Sequence, residues 1–247
     1  MKESSSCHIN CDMGESYGPY SLIDDERLMP YIHAANIACG YHAGDPVSMS
    51  KTVQLAIKHN IEIGAHPGYP DLQGFGRRNM DIDPETLKSM MLYQIGALRA
   101  IVESHRGELH HVKAHGALYN HASKDRNTAY AIANAIKELS GEITLFVPPN
   151  SELWNAAISL NLSFKIEAFI DRKYNNDLSL ASRKIEGSVI HDPKQAQQQL
   201  SLLRSKNKVV TIDGLEKNIK ADTYCIHGDN PQSLDILKLI HISLNHD

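Results

Sequence analysis

Short apolar runs alternate with amphipathic segments along most of the chain. Strand-like runs fall at residues 7–11, 36–39, 61–65, 111–114, 143–147, 164–169, 188–190, 209–212 and 223–226. Helical periodicity fills most of the segments between them. Leu87, Met90, Met91, Ile95, Leu98 and Val102 repeat at the i, i+3, i+4, i+7 spacing that lines one buried face of a helix. Asp83 before Pro84 predicts where that helix starts. An aspartate accepts from the free N–H groups of the first turn, and proline suits the first helical position. Gly107 predicts its end. A second stripe runs through Ala129, Ile132, Ala133, Ile136 and Leu139 and is closed by Gly141. Ala196, Leu200 and Leu203 mark a third, and Leu234, Leu237 and Ile240 a fourth.

Strand and helix alternating in this way imply parallel strands joined by crossover helices. No proline- or serine-rich linker, charge block or internal repeat interrupts the pattern, so residues 1–247 are expected to form one domain. Polar residues follow almost every strand, whereas an open doubly wound sheet gathers them at one switch point. The expected fold class is therefore α/β, a single TIM-like β/α barrel of about seven or eight strands.

Composition narrows the function classes. The formal net charge is −4, from 25 basic and 29 acidic residues, which speaks against a nucleic-acid surface. No apolar run approaches the roughly 20 residues of a membrane span. Met1-Lys2-Glu3-Ser4 carries an acid and leads directly towards a strand, so no secretory signal is expected and the expected location is the cytoplasm. Cys7, Cys11, Cys39 and Cys225 form no C-x-x-C pair and read as reduced, buried core residues. Histidine is the unusual residue, with 14 copies, many at the ends of apolar runs.

In a β/α barrel the loops after the strands build the site. Those positions hold Asn10, Asp12 and Glu15; His42 and Asp45; His66; Lys113 and His115; Asp171 and Arg172; His191 and Asp192; and His227 and Asp229. Asn10 and Asp12 share one strand face about 7 Å apart, and a carboxylate on an inward face must be paired, protonated or metal-bound. Lys113 and His115 likewise share a face and could stabilise an oxyanion and move a proton. Asp45 and Asp192 each precede proline and a helical pattern, so a plain N-cap competes with any site role. The same holds for Asp229 or Asn230 before Pro231. Residues 67–78 form a long loop rich in turn formers, where Arg77 or Arg78 could clamp a carboxylate or phosphate. A solvated basic turn is the plainer alternative there.

Several motifs are missing. There is no G-x-x-x-x-G-K-[ST], so no Walker-type ATP cradle is encoded. G-x-S-x-G and H-E-x-x-H are missing too, which removes the common serine-hydrolase and zincin readings. His111 and His115 would lie about 13 Å apart on a strand, too far to share one metal. A divalent metal assembled from different strand ends, with Asp12, His42, His66 and His227 as candidate ligands, stays open.

The motifs at the strand ends resemble the LamB/YcsF family over nearly the whole chain. They are 9–15 (INCDMGE), 36–46 (NIACGYHAGDP), the loop from Gly64 through Arg78, 112–120 (VKAHGALYN), 167–172 (EAFIDR) and 227–229 (HGD). The chain departs from the family pattern at Ala114, where proline is usual. The resemblance implies a β/α barrel of the glycoside hydrolase/deacetylase type. It also implies a role in ATP-dependent 5-oxoprolinase, which opens the lactam of 5-oxoproline to L-glutamate with ATP hydrolysis and works with partner subunits B and C. ATP is then expected to bind with the partner subunits. Asp12, His66, Lys113 and His115 become the expected catalytic residues. Glu15, His42, Asp45, Arg77, Arg78, Arg172, His227 and Asp229 become the expected substrate-binding residues. Two other readings remain open: a metal-dependent amidase or deacetylase acting without ATP, and a non-catalytic 5-oxoproline-binding module.

Overall fold

A computed structural model describes residues 7–20, 24–139 and 142–244. Met1 to Ser4 and the helix-closing Gly141 lie outside the described residues. Nine strands follow in chain order: β1 (Ile9–Met13), β2 (Ala34–Ala38), β3 (Glu62–His66), β4 (Leu109–Val112), β5 (Thr144–Val147), β6 (Phe164–Phe169), β7 (Lys208–Val210), β8 (Glu216–Asn218) and β9 (Thr223–Ile226). The first six and β9 are parallel and close into a barrel, β9 pairing with both β6 and β1. The expected α/β barrel is thus observed, with seven strands.

Two of the expected strands are not barrel staves. Residues 188–190 make one isolated bridge, Val189 with Arg172, and form no strand. Residues 209–212 contribute to β7, which pairs antiparallel with β8 in a hairpin outside the barrel. The long excursion between β6 and β9 therefore holds apolar runs that bury themselves locally. His191 therefore follows no stave of its own; its Nδ1 contacts Asn230 Oδ1 at 3.0 Å, in the loop after β9.

Among the described residues the α-helices are α1 (Asp25–Leu28), α2 (Pro46–Lys58), α3 (Pro84–Ser104), α4 (Gly116–Ala122), α5 (Arg126–Glu138), α6 (Glu152–Ser159), α7 (Pro193–Lys206) and α8 (Ser233–Leu244), and the stripes and caps read from the sequence fall on α2, α3, α5, α7 and α8. Asp45, Asp83 and Asp192 each accept from backbone N–H groups at the start of α2 (Pro46–Lys58), α3 (Pro84–Ser104) and α7 (Pro193–Lys206). Asp125 does the same for α5 (Arg126–Glu138). The α3 helix ends at Ser104, and its chain reverses through His105 and left-handed Arg106, just before Gly107. Among the described residues, no helix is long and apolar enough to cross a membrane.

The barrel is arranged with its polar residues inside. Strand alternation sends Ile9, Cys11, Met13, Ile37, Ala65 and Val112 into the apolar core. The other face carries Asn10, Asp12, Asn36, His111, Glu167 and Thr223, all buried. Several of these polar groups pair across strands. Asn36 Nδ2 donates to Asn10 Oδ1 and Asp12 Oδ1, both at 2.8 Å, and Asn10 Nδ2 donates to Thr223 Oγ1 at 2.8 Å. Fully paired polar groups are the condition for burying them without a large penalty.

Gly64 makes room for one member of this network. It pairs in register with Asn36 on one side and His111 on the other. The His111 ring covers its Cα, stacks on Phe146 at 4.2 Å and bonds Asn36 Oδ1 through Nε2 at 2.8 Å. A Cβ on Gly64 would lie 2.0 Å from His111 Nε2. Gly64→Ala is therefore expected to destabilise by about 1–3 kcal/mol, seen as a loss of several degrees in Tm. In a double-mutant cycle, His111→Ala should relieve part of that cost. Strict additivity of the two substitutions would contradict the contact.

Candidate active site

An ammonium group sits at the centre of the barrel mouth. Lys113 leaves β4 and points inward, almost fully buried. Its Nζ lies 2.9 Å from Asp12 Oδ1, 3.0 Å from Glu167 Oε1, 3.3 Å from Asn10 Oδ1 and 2.9 Å from Cys225 Sγ. Burial alone would favour loss of the proton. Asp12, the Cys225 sulfur and Glu167 outweigh it and hold the Lys113 pKa well above its ordinary value. Burial likewise pushes the Asp12 carboxyl up, but His66 and Lys113 overcome it and keep that carboxyl well below the usual range. The result is a buried ion cluster, with the Cys225 thiol pushed up by burial and held neutral.

Beside this cluster lies a group of imidazoles. His66 Nε2 is 3.3 Å from Asp12 Oδ2, and His115 Nδ1 is 3.0 Å from His66 Nε2 and 3.4 Å from Glu15 Oε1. His42 Nε2 stands 3.2 Å from Glu15 Oε1, and the His42 ring stacks on His115 at 3.6 Å. Burial, then the neighbouring imidazoles, pushes the pKa of both His42 and His115 well below the usual histidine value. Burial and then the Asp12 and Asp229 carboxylates push Glu15 well above its own. Ligand atoms of Glu15, His42, His66 and His115 all fall within 4.8 Å of one another, so this buried group could hold a metal ion. Gly76, at φ +63°, lays the loop backbone over these rings, where a Cβ would lie 2.7 Å from both His115 and His42.

The cluster opens on a cavity of about 680 Å³. Asp12, His66, Lys113, His115 and His227 lie at its inner end, and Arg77, Arg172 and Arg183 contribute positive charge to its walls. Arg77 Nη2 bonds Asp229 Oδ2 at 2.6 Å, and Arg183 approaches the same carboxylate at 3.5 Å. Arg172 donates to the Ala181 carbonyl at 2.5 Å while its Nε has no hydrogen-bond partner among the described residues. Burial draws its pKa down to about 10, so it stays charged at neutral pH. His227 Nδ1 lies 2.9 Å from Asp171 Oδ1. Burial raises the Asp171 carboxyl, but His227 outweighs it and holds that carboxyl below the usual range, so Asp171 is an anion that orients the ring.

The structure therefore brings together Asp12, His66, Lys113, His115, Arg77, Arg172 and His227. Glu15 and His42 lie behind His115 and do not line the cavity. Asp229 acts by holding Arg77 and Arg183. Two residues fall elsewhere. Asp45 caps α2, its Oδ1 accepting from Val47 and Ser48 and its Oδ2 from Gly18. Arg78 points outward and pairs with Asp71. Sequence reasoning placed Asp171 at a strand end without giving it a role, and it missed Glu167 and Arg183. Glu167 sits on the same face of β6 as Phe169, and the alternation of that strand could have marked it. Arg183 lies in the irregular excursion after β6, where no pattern singles it out.

The geometry agrees with what the chain is similar to. The LamB/YcsF family model matches residues 7–247. The 5-oxoprolinase A subunit of Clostridium beijerinckii is 46% identical over 239 residues, covering 97% of this chain and 94% of that protein. Its counterpart in Brevibacillus brevis is 46% identical over 237 residues, covering 96% of this chain and 93% of its own. The crystal structure of a lactam utilization protein from Thermus thermophilus superimposes with a TM-score of 0.91 at 40% identity, covering 97% of this chain and 96% of that one. With its fold and nearly its full length matched, this chain belongs to the LamB/YcsF family.

Proposed function

We propose that the chain is a single-domain, cytoplasmic component of an ATP-dependent 5-oxoprolinase. In this reading it opens the lactam of 5-oxoproline to L-glutamate together with partner subunits B and C. One observation carries the reading. A buried Asp12–Lys113 pair and an Asp171-oriented His227 face one cavity whose walls carry Arg77, Arg172 and Arg183. A small anionic amide needs this combination of groups. Cations hold its carboxylate, a fixed positive charge meets the developing oxyanion, and a base takes a proton from water and returns it to the departing nitrogen.

The residues divide those tasks. The guanidinium groups of Arg77 and Arg172 hold the substrate carboxylate, with Asp229 fixing Arg77 in place and Arg183 sharing the Asp229 carboxylate. Lys113, kept charged by its two carboxylates, stabilises the oxyanion as water adds to the lactam carbon. Asp12 orients that water and Lys113 together. His227 accepts the water's proton on its free nitrogen and delivers it to the ring nitrogen as the C–N bond breaks. His115 suits this role less well than the sequence suggested. Its two ring nitrogens are engaged by Phe75 and by the His66–Glu15 pair.

An unactivated amide is a poor electrophile, and the energy input comes from ATP bound with the partner subunits. The cavity is larger than a single five-membered ring requires, which leaves space for an activated form of the substrate. A second reading, a metal-dependent amidase acting without ATP, draws on the buried Glu15–His42–His66–His115 group. It requires glutamate release by this chain alone.

The deciding assay measures glutamate released from 5-oxoproline by the chain with and without ATP and partner subunits. Turnover only in the complete mixture is the expected result, and ATP-independent turnover by the chain alone would favour the second reading. In the complete mixture, Asp12→Asn is expected to lower kcat by about 10²- to 10⁴-fold with a native circular dichroism spectrum. Arg77→Ala should act mainly on KM, as the loss of a ground-state carboxylate contact does. Near-normal kinetics in both variants would remove these assignments.

A further inference from the structure

His66 and His115 are each fastened to the backbone through one ring nitrogen. A carbonyl oxygen only accepts, so the nitrogen facing it carries the hydrogen. His66 Nδ1 donates to the Lys113 carbonyl at 2.7 Å, and His115 Nε2 to the Phe75 carbonyl at 2.8 Å. In neutral rings the opposite nitrogens, His66 Nε2 and His115 Nδ1, are then bare lone pairs. These lone pairs face each other at 3.0 Å. Glu15 Oε1 stands 3.4 Å from one, and Asp12 Oδ2 stands 3.3 Å from the other. All four side chains are buried. Acceptors crowded together away from water repel one another unless a cation lies among them.

Protons among these groups relieve the crowding when no ion is bound, and metal binding displaces them. The spacing fits a larger cation. Metal–ligand bonds of about 2.0–2.2 Å at tetrahedral angles place neighbouring ligand atoms about 3.3–3.6 Å apart. The 3.0 Å and 3.4 Å separations around His115 Nδ1 lie at or just inside those edges. The His66 and His115 rings stand at 89°, so one ion can lie in the plane of both, as imidazole ligation requires. His42 is stacked parallel to His115, with 1° between the rings, and cannot share that ion in-plane. It is instead the outer partner, its Nε2–H directed at Glu15 Oε1 while its Nδ1 has no hydrogen-bond partner among the described residues.

We propose that His66 Nε2, His115 Nδ1 and Glu15 Oε1 form a binding site for one divalent transition-metal ion of the zinc type. Two imidazoles and a carboxylate suit such an ion, whereas magnesium and calcium prefer all-oxygen shells. His66 and His115 both line the cavity, which gives the remaining coordination position access to a small ligand. Ion binding here is independent of which substrate the cavity takes.

The test strips the full chain with a chelator, then titrates it with Zn²⁺ alone by calorimetry and with Co²⁺ alone by visible absorption. The expected result is one ion per chain, intense bands of four-coordinate Co²⁺ and a higher Tm with Zn²⁺ present. Glu15→Gln and His115→Ala are expected to abolish stoichiometric binding. His42→Ala should weaken it by about 10- to 100-fold, as loss of an outer partner does. A wild-type chain that takes up no ion, or takes ions only at several weak sites, overturns the proposal whatever the variants do. Binding that survives Glu15→Gln but vanishes in Cys225→Ser also overturns it, because the ion would then belong to Asp12, Cys225 and His227.

Discussion

The fold depends on one buried ammonium. Lys113 lies inside a closed barrel within 3.0 Å of carboxylate oxygens from two other strands, Asp12 on β1 and Glu167 on β6. Charges removed from water are tolerated only when paired and hydrogen-bonded, and removing one partner of such a set costs about 3–5 kcal/mol. The strands must therefore close in the register that brings β1, β4 and β6 around the same point. Asn10 Oδ1 accepts from the lysine, and Asn36 donates to both Asn10 Oδ1 and Asp12 Oδ1. The apolar faces of the strands, turned outward, hold the helices, and the interior is left for chemistry.

Much of this was legible in the sequence, for physical reasons that can be named. Asp83, Asp192 and the α3 stripe were readable because capping and helical periodicity are local. Asp12, His66, Lys113 and His227 were readable because an ionisable residue at the end of an apolar run is costly unless something meets it. The rest needed three dimensions. Residues 188–190 and 209–212 look like staves because a short apolar run does not reveal its pairing partner. Asp45 and Arg78 looked like site residues until their own neighbours, the α2 amides and Asp71, were seen to occupy them. Which imidazole nitrogen carries its hydrogen was beyond the sequence, because Phe75 and Lys113 supply the deciding carbonyls from other segments.

The glycine-rich loop after β3 links the two halves of the site. Its Phe75 carbonyl fixes the orientation of His115, its Gly76 backbone covers the imidazole group, and its Arg77 reaches Asp229 after β9. A single segment thus sets both the buried histidine cluster and the charged wall of the cavity. The match to relatives along nearly the whole chain is consistent with a site whose parts come from most of the strand ends.

The central claim is that Lys113 stays an ammonium because Asp12 and Glu167 enclose it. Nuclear magnetic resonance of ¹⁵N-labelled lysine side chains tests this directly, since a buried NH₃⁺ exchanges slowly and its shift reports the charge. One lysine signal, lost in Lys113→Met, should remain that of an ammonium as the pH rises through the range where the exposed lysines titrate. A Lys113 signal that turns neutral before the exposed lysines do would contradict the account.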